Sequence, residues 1–577
     1  MVQWNKTAAT QPARGRSARH GRQTPDFSAA DRRRRRQKDP QSRRSIVLII
    51  TAVALAGAIA LTVSLLTSSS PSSVPALASG SQAVRILPDP PVSVCGNAAL
   101  LAGASAPPSG AVKVSAGDDS QYNWTPDTTY WFAPGKHTLG NSESDQIQPA
   151  DGDTFIGAPG AILSGQGINQ FAFIGTSVNV TIKYLTIEGF APPGSEAAVN
   201  RDAGKGWLIA HDTIQDNSPG AGLMIGSDNN VTYDCLTRNG QYGFGTYVPS
   251  TSHEASGLTG GPANITLTHN EISSNDTCNF EAISPDPVPA SFIPSNCSGA
   301  GERANCGCSG GGKFWRVDNA VAADNYVHDN YNVGLWADTD NNGFKFENNY
   351  IARNNIGIEY EISYNAVIEN NVFVENSVPE GSSDPSFPDG AVYISESGGD
   401  GRVPNAGSIS TLTIVGNLFV NNWSGVILWE SPNRFCGSPY NTSTGICTLT
   451  DPAVANVDTC GQTDLTGTSP AKSPDYYDLC RWKTQNVLVS GNTFSMNDSA
   501  VTGCKGSANS CGENGIFSQY GTGPSWSPYT GSSVEEAITG SQNNRFKDNT
   551  YRGQWEYMYQ NLGTVIDYAQ WRMKGQD

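Results

Sequence analysis

Between residues 112 and 553 apolar and polar positions alternate in short runs, and each run closes on Gly, Asn, Asp or Ser. That period of two is the signature of half-buried strands joined by turns, and no stretch holds a period of 3.6 long enough for a buried helix. The runs also repeat. Residues 332–342 read NVGLWADTDNN and residues 355–365 read NIGIEYEISYN, 23 positions apart, with Gly334 matching Gly357, Leu335 matching Ile358 and an acid at the same place, Asp338 and Glu361.

A smaller unit, Asn followed two residues later by a large apolar residue, recurs at Asn270/Ile272, Asn325/Val327, Asn349/Ile351, Asn371/Phe373, Asn417/Phe419, Asn492/Phe494 and Asn549/Tyr551, with Asp212/Ile214 as an earlier variant. Where nothing is inserted the spacing is 22 to 24 residues. A unit this short, with two or three strands and no helix, cannot bury its apolar side alone; stacked on copies of itself it can. The asparagines then lie above one another at a bend, where their amides bond from coil to coil. Leucine-rich repeats lack this spacing, and propeller blades need about 40 residues.

The segment NYVHDNYNVGLWADTDNNGFKFENNYIARNNIGIEYEIS resembles the coils of right-handed parallel β-helix proteins, the pectate-lyase-like superfamily, and among them polysaccharide lyases and mannuronan epimerases. The resemblance covers roughly residues 112–553 and implies an all-β, right-handed parallel β-helix solenoid. It implies no reaction by itself, because one fold hosts many activities. The chain has no DPHE as in bacterial mannuronan epimerases, no Gly-His-Gly with neighbouring paired Asp as in polygalacturonases, and no arginine arrangement matching pectate lyases. No family's catalytic set carries over onto it.

Alternation orders the candidate groove. If Leu335, Ala337, Ile358 and Tyr360 face the core, then Trp336, Asp338, Glu359 and Glu361 face outward, and Tyr393 and Ser395, then Ile427 and Trp429, follow on later coils. An insertion between residues 282 and 310, carrying Cys297, Cys306 and Cys308 with Cys278 at its entrance, walls this face and delivers Glu281 and Lys313 at its ends. The expected site therefore comprises Asp338, Glu361, Glu281, Lys313 and His328 as catalytic candidates, with Trp315, Trp336, Glu359, Tyr393 and Trp429 as exposed substrate-binding side chains.

Adjacent coils repeat about every 4.8 Å, so Asp338 and Glu361 should stand near 5 Å apart. That spacing suits the carboxyl pair of a retaining glycosidase, with Glu281 completing a wider inverting pair. It equally suits oxygen ligands for Ca²⁺, the one cofactor the sequence suggests. A lyase or epimerase would instead use Lys313 or His328 as base. The bland readings are a solvated Glu359, a turn-closing His328 and a Lys313 that merely pairs with an acid.

Charge and hydropathy place these coils outside the cell. Residues 1–44 hold 13 Lys+Arg against 3 Asp, a net of +10, and the remainder holds 23 against 50 Asp+Glu, a net of −27. So acidic a body disfavours nucleic acid and anionic membrane surfaces. Ile46–Leu66 carries no charge and is long enough to cross a bilayer; the Arg-rich run before it predicts a cytoplasmic amino terminus. A cleaved export signal is the alternative, with ALA at residues 76–78 as a cleavage site and SRRSIVL at residues 42–48 faintly resembling a twin-arginine signal. The expected organisation is a basic cytoplasmic segment (1–44), a transmembrane helix (45–67), a stalk and cap (68–111), the β-helix (112–553) and a C-terminal cap (554–577) whose TVIDYAQWRMKGQD forms a short helix.

All 12 cysteines follow residue 94, as in an oxidising compartment. Cys436 with Cys447, Cys460 with Cys480 and Cys504 with Cys511 are expected to staple local loops. Metal binding is disfavoured because no paired Cys-x-x-Cys spacing occurs. Asn179, Asn230 and Asn264 head N-x-T sequons, which read equally well as turns before strands. The expected partner is a polysaccharide. The rival to an enzyme is a non-catalytic surface rod for adhesion or glycan binding.

Overall fold

The computed structural model describes residues 87–246, 261–280, 293–297, 309–383, 386–398, 412–434, 483–522, 527 and 529–577. Among these the strands form three long sheets of 13, 13 and 11 strands, each joining strands from successive coils. Every pairing along the three sheets is parallel except one at the end of the third, where 565–566 folds back antiparallel on Glu556–Asn561. The chain is thus a parallel β-helix in which one coil supplies one strand to each sheet. The expected anchor, Ile46–Leu66, lies outside the described residues; no described helix is long and apolar enough to cross a membrane.

Register makes the core. In the first sheet Ile209, Val231, Leu267, Ala322 and Phe346 are successive Cα partners, and in the second Ile214, Leu236, Ile272, Val327 and Ile351. All ten are buried in one continuous cluster. Farther along the second column Phe373, Phe419, Phe494 and Tyr551 stack face to face at 4.7, 4.6 and 5.2 Å, the strand spacing expressed in rings.

At the bend before the second sheet the expected ladder is present. Each Asn accepts through Oδ1 from the backbone N–H and the amide of the rung before it, and donates through Nδ2 to a backbone carbonyl and to the next Oδ1. Asn349 is typical: Asn325 N and Nδ2 donate to it at 3.0 and 2.9 Å, and its Nδ2 donates to Ala322 O and Asn371 Oδ1 at 2.8 and 2.9 Å. The run extends from Asn270 to Asn549, where Asp577 Oδ1 accepts from Asn549 N and Nδ2.

A second ladder, not anticipated, stands five residues on, after the second sheet: Asn217, Asn239, Asn275, Asn330, Asn354, Asn376 and Asn422. Its signal was in the sequence as a repeated N-x4-N.

A short helix closes the C-terminal end of the solenoid. The helix Tyr568–Met573 opens with a capping box between Asp567 and Gln570, and its Trp571 stacks on Tyr557 at 4.7 Å. Midway along the solenoid Cys95 is bonded to Cys235, on the sixth strand of the second sheet, which fastens residues 93–95 against the outside of that sheet.

Candidate functional site

The third sheet carries the candidate groove on its outer side. Gly310–Trp315, Val333–Asp338, Ile356–Glu361, Gly390–Ser395 and Ser424–Glu430 pair in order. Two outward columns result. One runs Lys313, Trp336, Glu359, Tyr393, Ile427; the other runs Trp315, Asp338, Glu361, Ser395, Trp429. Asp338 and Glu361 are direct Cα partners, on strands about 4.8 Å apart. Leu335, Ala337, Ile358 and Tyr360 lie in the main core.

The outward direction does not bring exposure. Trp336, Tyr393 and Trp429 are 3%, 1% and 6% exposed and belong to a second apolar cluster, separate from the core inside the coils. This corrects the expectation of open aromatic platforms. The physical cause is a cover: after the short helix Val378–Ser383 the chain brings Phe387 back over the sheet, 6.2 Å from Tyr393, 6.1 Å from Trp429 and 5.6 Å from Phe517. Glu359 is likewise buried and not solvated. Trp315 stays half-buried at the rim, beneath the guanidinium of Arg316 at 4.9 Å.

Each acid of the central pair meets its own cation. Lys313 Nζ lies 2.8 Å from Asp338 Oδ2 and 3.7 Å from the centre of the Trp336 ring. Arg434 Nη1 lies 2.5 Å from Glu361 Oε1 and 2.7 Å from Glu396 Oε2, with all three side chains buried. Burial alone would depress the Arg434 guanidinium, but the charges of Glu361 and Glu396 outweigh it and raise it. Ser395 Oγ donates to Glu396 Oε2, and Ser431 N donates to Glu396 Oε1 at 2.5 Å.

Sequence alternation missed Arg434 and Glu396. Arg434 lies beyond the end of its strand, where a period of two has no meaning. Glu396 follows Ser395 and would alternate inward, but its φ of +45° turns the chain. The same turn recurs directly after both central acids, at Thr339 (φ +58°) and Ile362 (φ +47°). A β-branched residue is rare in that region, and such conformations concentrate at functional sites.

His328 stands elsewhere, which corrects its place in the groove. Its strand, Tyr326–His328, belongs to the second sheet and pairs with strands 271–273 and 350–352. There it lies 3.2 Å from Glu271 and 2.6 Å from Asp329, which also receives Arg353 at 2.7 Å. Glu271 in turn accepts from Ser93 Oγ and from the N–H groups of Val94 and Cys95. His328 therefore ties the N-terminal strap to the coils. Burial would lower its imidazole, but hydrogen bonds to Asp329 and Glu271 outweigh that and raise it. Burial would raise Asp329, but His328 and Arg353 bring it down to about 2.

Glu281 lies outside the described residues, as do Cys306, Cys308, Cys436, Cys447, Cys460 and Cys480. Cys278 is bonded to Cys297 across the insertion, and Cys504 to Cys511 as expected. No cluster of three or more His, Cys, Asp or Glu side chains suited to a metal occurs among the described residues. With Asp338 on Lys313 and Glu361 on Arg434, the suggested Ca²⁺ ligands are already matched by protein cations.

Residues 197–405, which include Lys313, Asp338, Glu359 and Glu361 but end before Trp429 and Arg434, match the family described as right handed beta helix region. Among solved structures the chain is similar to the A-module of the Azotobacter vinelandii mannuronan C-5 epimerase AlgE6, at 13% identity over 75% of this chain and 87% of that one, with a TM-score of 0.39. It is also similar to the catalytic unit of a GH87 α-1,3-glucanase from Streptomyces thermodiastaticus, at 11% identity over 80% of this chain and 72% of that one, with a TM-score of 0.42. Likeness at this level carries no inference about this chain. No curated protein matches the chain.

Proposed function

We propose that this protein is a carbohydrate-active β-helix protein that hydrolyses a polysaccharide on the outer side of its third sheet, with Asp338 and Glu361 as the reacting pair. The observation that carries the reading is their register: two carboxyl side chains on consecutive strands, whose separation of about 4.8 Å approaches the carboxyl spacing a retaining glycosidase uses. Glu361, held by Arg434, is the carboxylate that would meet the sugar's developing positive charge. Asp338 and Lys313 form the proton-carrying pair beside it. Trp315 at the rim offers the sugar a ring to lie against.

Hydrolysis is favoured over elimination or epimerisation because those reactions need a group that takes a proton from carbon. The contacts of Lys313 with the Asp338 carboxylate and the face of Trp336 are those of an ammonium group rather than a free amine. The acidic body, net −27 beyond residue 44, also suits a neutral glycan better than a polyuronate.

A second reading has its own support. Trp336, Tyr393 and Trp429 are packed away and the central charges are paired, as in a rigid rod that binds without turnover. Incubation with neutral and uronate-containing glycans separates the two. New reducing ends that vanish in Asp338→Asn and Glu361→Gln support hydrolysis, whereas an unsaturated product would mean a lyase. Binding with no product from any glycan supports the rod.

The three disulfides among the described residues fit an oxidising compartment. We place the coils outside the cell, tethered through residues 45–67, with the basic segment 1–44 in the cytoplasm. Detection of the intact amino terminus in the membrane fraction tests that placement.

A further inference from the structure

The first asparagine ladder does not begin with asparagine. Its two N-terminal rungs are Asp212 and Asp234: Leu185 N donates to Asp212 Oδ1, Asp212 N to Asp234 Oδ1 and Asp234 N to Asn270 Oδ1, at 2.7, 2.7 and 2.9 Å. These Oδ1 atoms therefore do what the asparagine Oδ1 atoms do. The second oxygen differs. In each later rung the corresponding atom is an amide nitrogen that donates to the carbonyl three residues before the preceding rung, as Asn270 Nδ2 does to Val231 O at 3.0 Å. By the same register Asp234 Oδ2 stands toward Ile209 O, and Asp212 Oδ2 toward Ile182 O. Both Oδ2 atoms are buried and without a hydrogen-bond partner, and both residues are 0% exposed.

An ionised carboxylate cannot donate. Facing carbonyl oxygens in a position closed to bulk solvent, with another carboxylate on the next rung, its second oxygen would be left without a hydrogen bond. We infer that Asp212 and Asp234 are ladder rungs in their neutral form, each donating Oδ2–H where an asparagine would donate Nδ2–H, so that these coils are held by two protons and loosen when the protons leave.

The surroundings agree. Lys183 on the preceding coil is the charged group that reaches Asp212; the two acids face each other; the following coil presents the neutral Asn270 to Asp234. His211, beside Asp212 in sequence, turns outward and stacks between Tyr184 and Tyr233 at 5.1 and 5.2 Å. Burial pushes Asp212 up to about 8 against smaller opposing effects of Leu185, Ala210 and Lys183, and burial followed by the charge of Asp212 raises Asp234.

The sign follows. A carboxyl raised on folding contributes stability that is complete below its unfolded value near 3.8 and is lost as pH rises through its folded value, here about 8 for Asp212. Each such group changes the folding equilibrium by up to about tenfold per pH unit within that window.

The test compares the full chain with Asp212→Asn/Asp234→Asn, in which amides supply the donors without protons. Denaturant unfolding from pH 5 to 8 should show the variant gaining on the parent by up to about tenfold per pH unit for each group replaced. Glu513 and Glu535, also raised by burial, lend both proteins the same slope, so the difference is the readout. Amide exchange at Leu185, Asp212 and Asp234 should accelerate with alkali in the parent alone, after correction for intrinsic exchange. A stability difference that stays constant over this range overturns the inference. Should the variant not fold, infrared spectroscopy of the parent at pH 6 decides. A protonated-carboxyl stretch that Asp212→Asn diminishes supports the inference, and a spectrum without one, or with one that Asp212→Asn leaves unchanged, as Glu513 and Glu535 alone would give, overturns it.

Discussion

Asp338 and Glu361 stand side by side on consecutive strands, yet each is matched by a cation from a different part of the chain, Lys313 one coil earlier and Arg434 beyond the strand Ser424–Glu430. Their shared register gives the site its spacing, and their separate partners give the two carboxyls different surroundings. That difference is what lets a pair of like groups take unlike roles.

Arg434 is the member whose loss should be felt most in stability. Its removal takes from the buried Glu361 and Glu396 the guanidinium they share, and breaking a buried pair in this way costs about 3–5 kcal/mol. Arg434→Ala should therefore lower the urea midpoint by the equivalent of that amount, and adding Glu361→Gln and Glu396→Gln should restore a large part. A loss below about 1 kcal/mol would mean that the three groups do not depend on one another.

The N-terminal strap should be tightest in mildly acidic solution. His328 is raised on folding, so its contribution is present below its ordinary value near 6.5 and is lost as pH rises above its folded value. Glu271 and Asp329 are lowered, so theirs is present above their ordinary values and lost toward strong acid, Asp329 through about 2. The amides of Val94 and Cys95, which donate to Glu271, report this directly. Their exchange, corrected for intrinsic rates, should accelerate between pH 6 and 9 in the parent, and His328→Gln should abolish that dependence.

Within the ladder, Asn349→Leu should orphan the buried N–H of Asn325 and the carbonyl of Ala322. An unsatisfied buried group costs about 1–3 kcal/mol, so a loss at or above that range is expected in equilibrium unfolding. A loss under about 0.5 kcal/mol would show that the ladder is ornamental.

Much of this was legible beforehand. A 23-residue repeat with period-two strands specifies stacked coils, because no other arrangement buries such short units, and the coil register then puts Asp338 over Glu361 and Tyr393 near Trp429 without further information. Two things were hidden for physical reasons. Alternation states which way Tyr393 and Trp429 point but not what folds back to cover them, and Phe387 comes from an insertion that obeys no repeat. His328 lies one short strand before the groove in sequence but outside it in space, because a coil turns through three sheets and the bend at Asn330, marked by the second ladder, separates its strand from that of Asp338. The N-x4-N spacing would have shown that bend.

The most direct test of the glycan groove is the position of an oligosaccharide in a crystal of the protein. The account predicts a sugar chain resting on Trp315 and crossing the coils at Asp338 and Glu361, with a scissile bond between their carboxyl groups and the cover at Phe387 displaced to admit it. A saccharide seated on the first or second sheet, with the Lys313–Asp338 and Arg434–Glu361 pairs undisturbed, would contradict it.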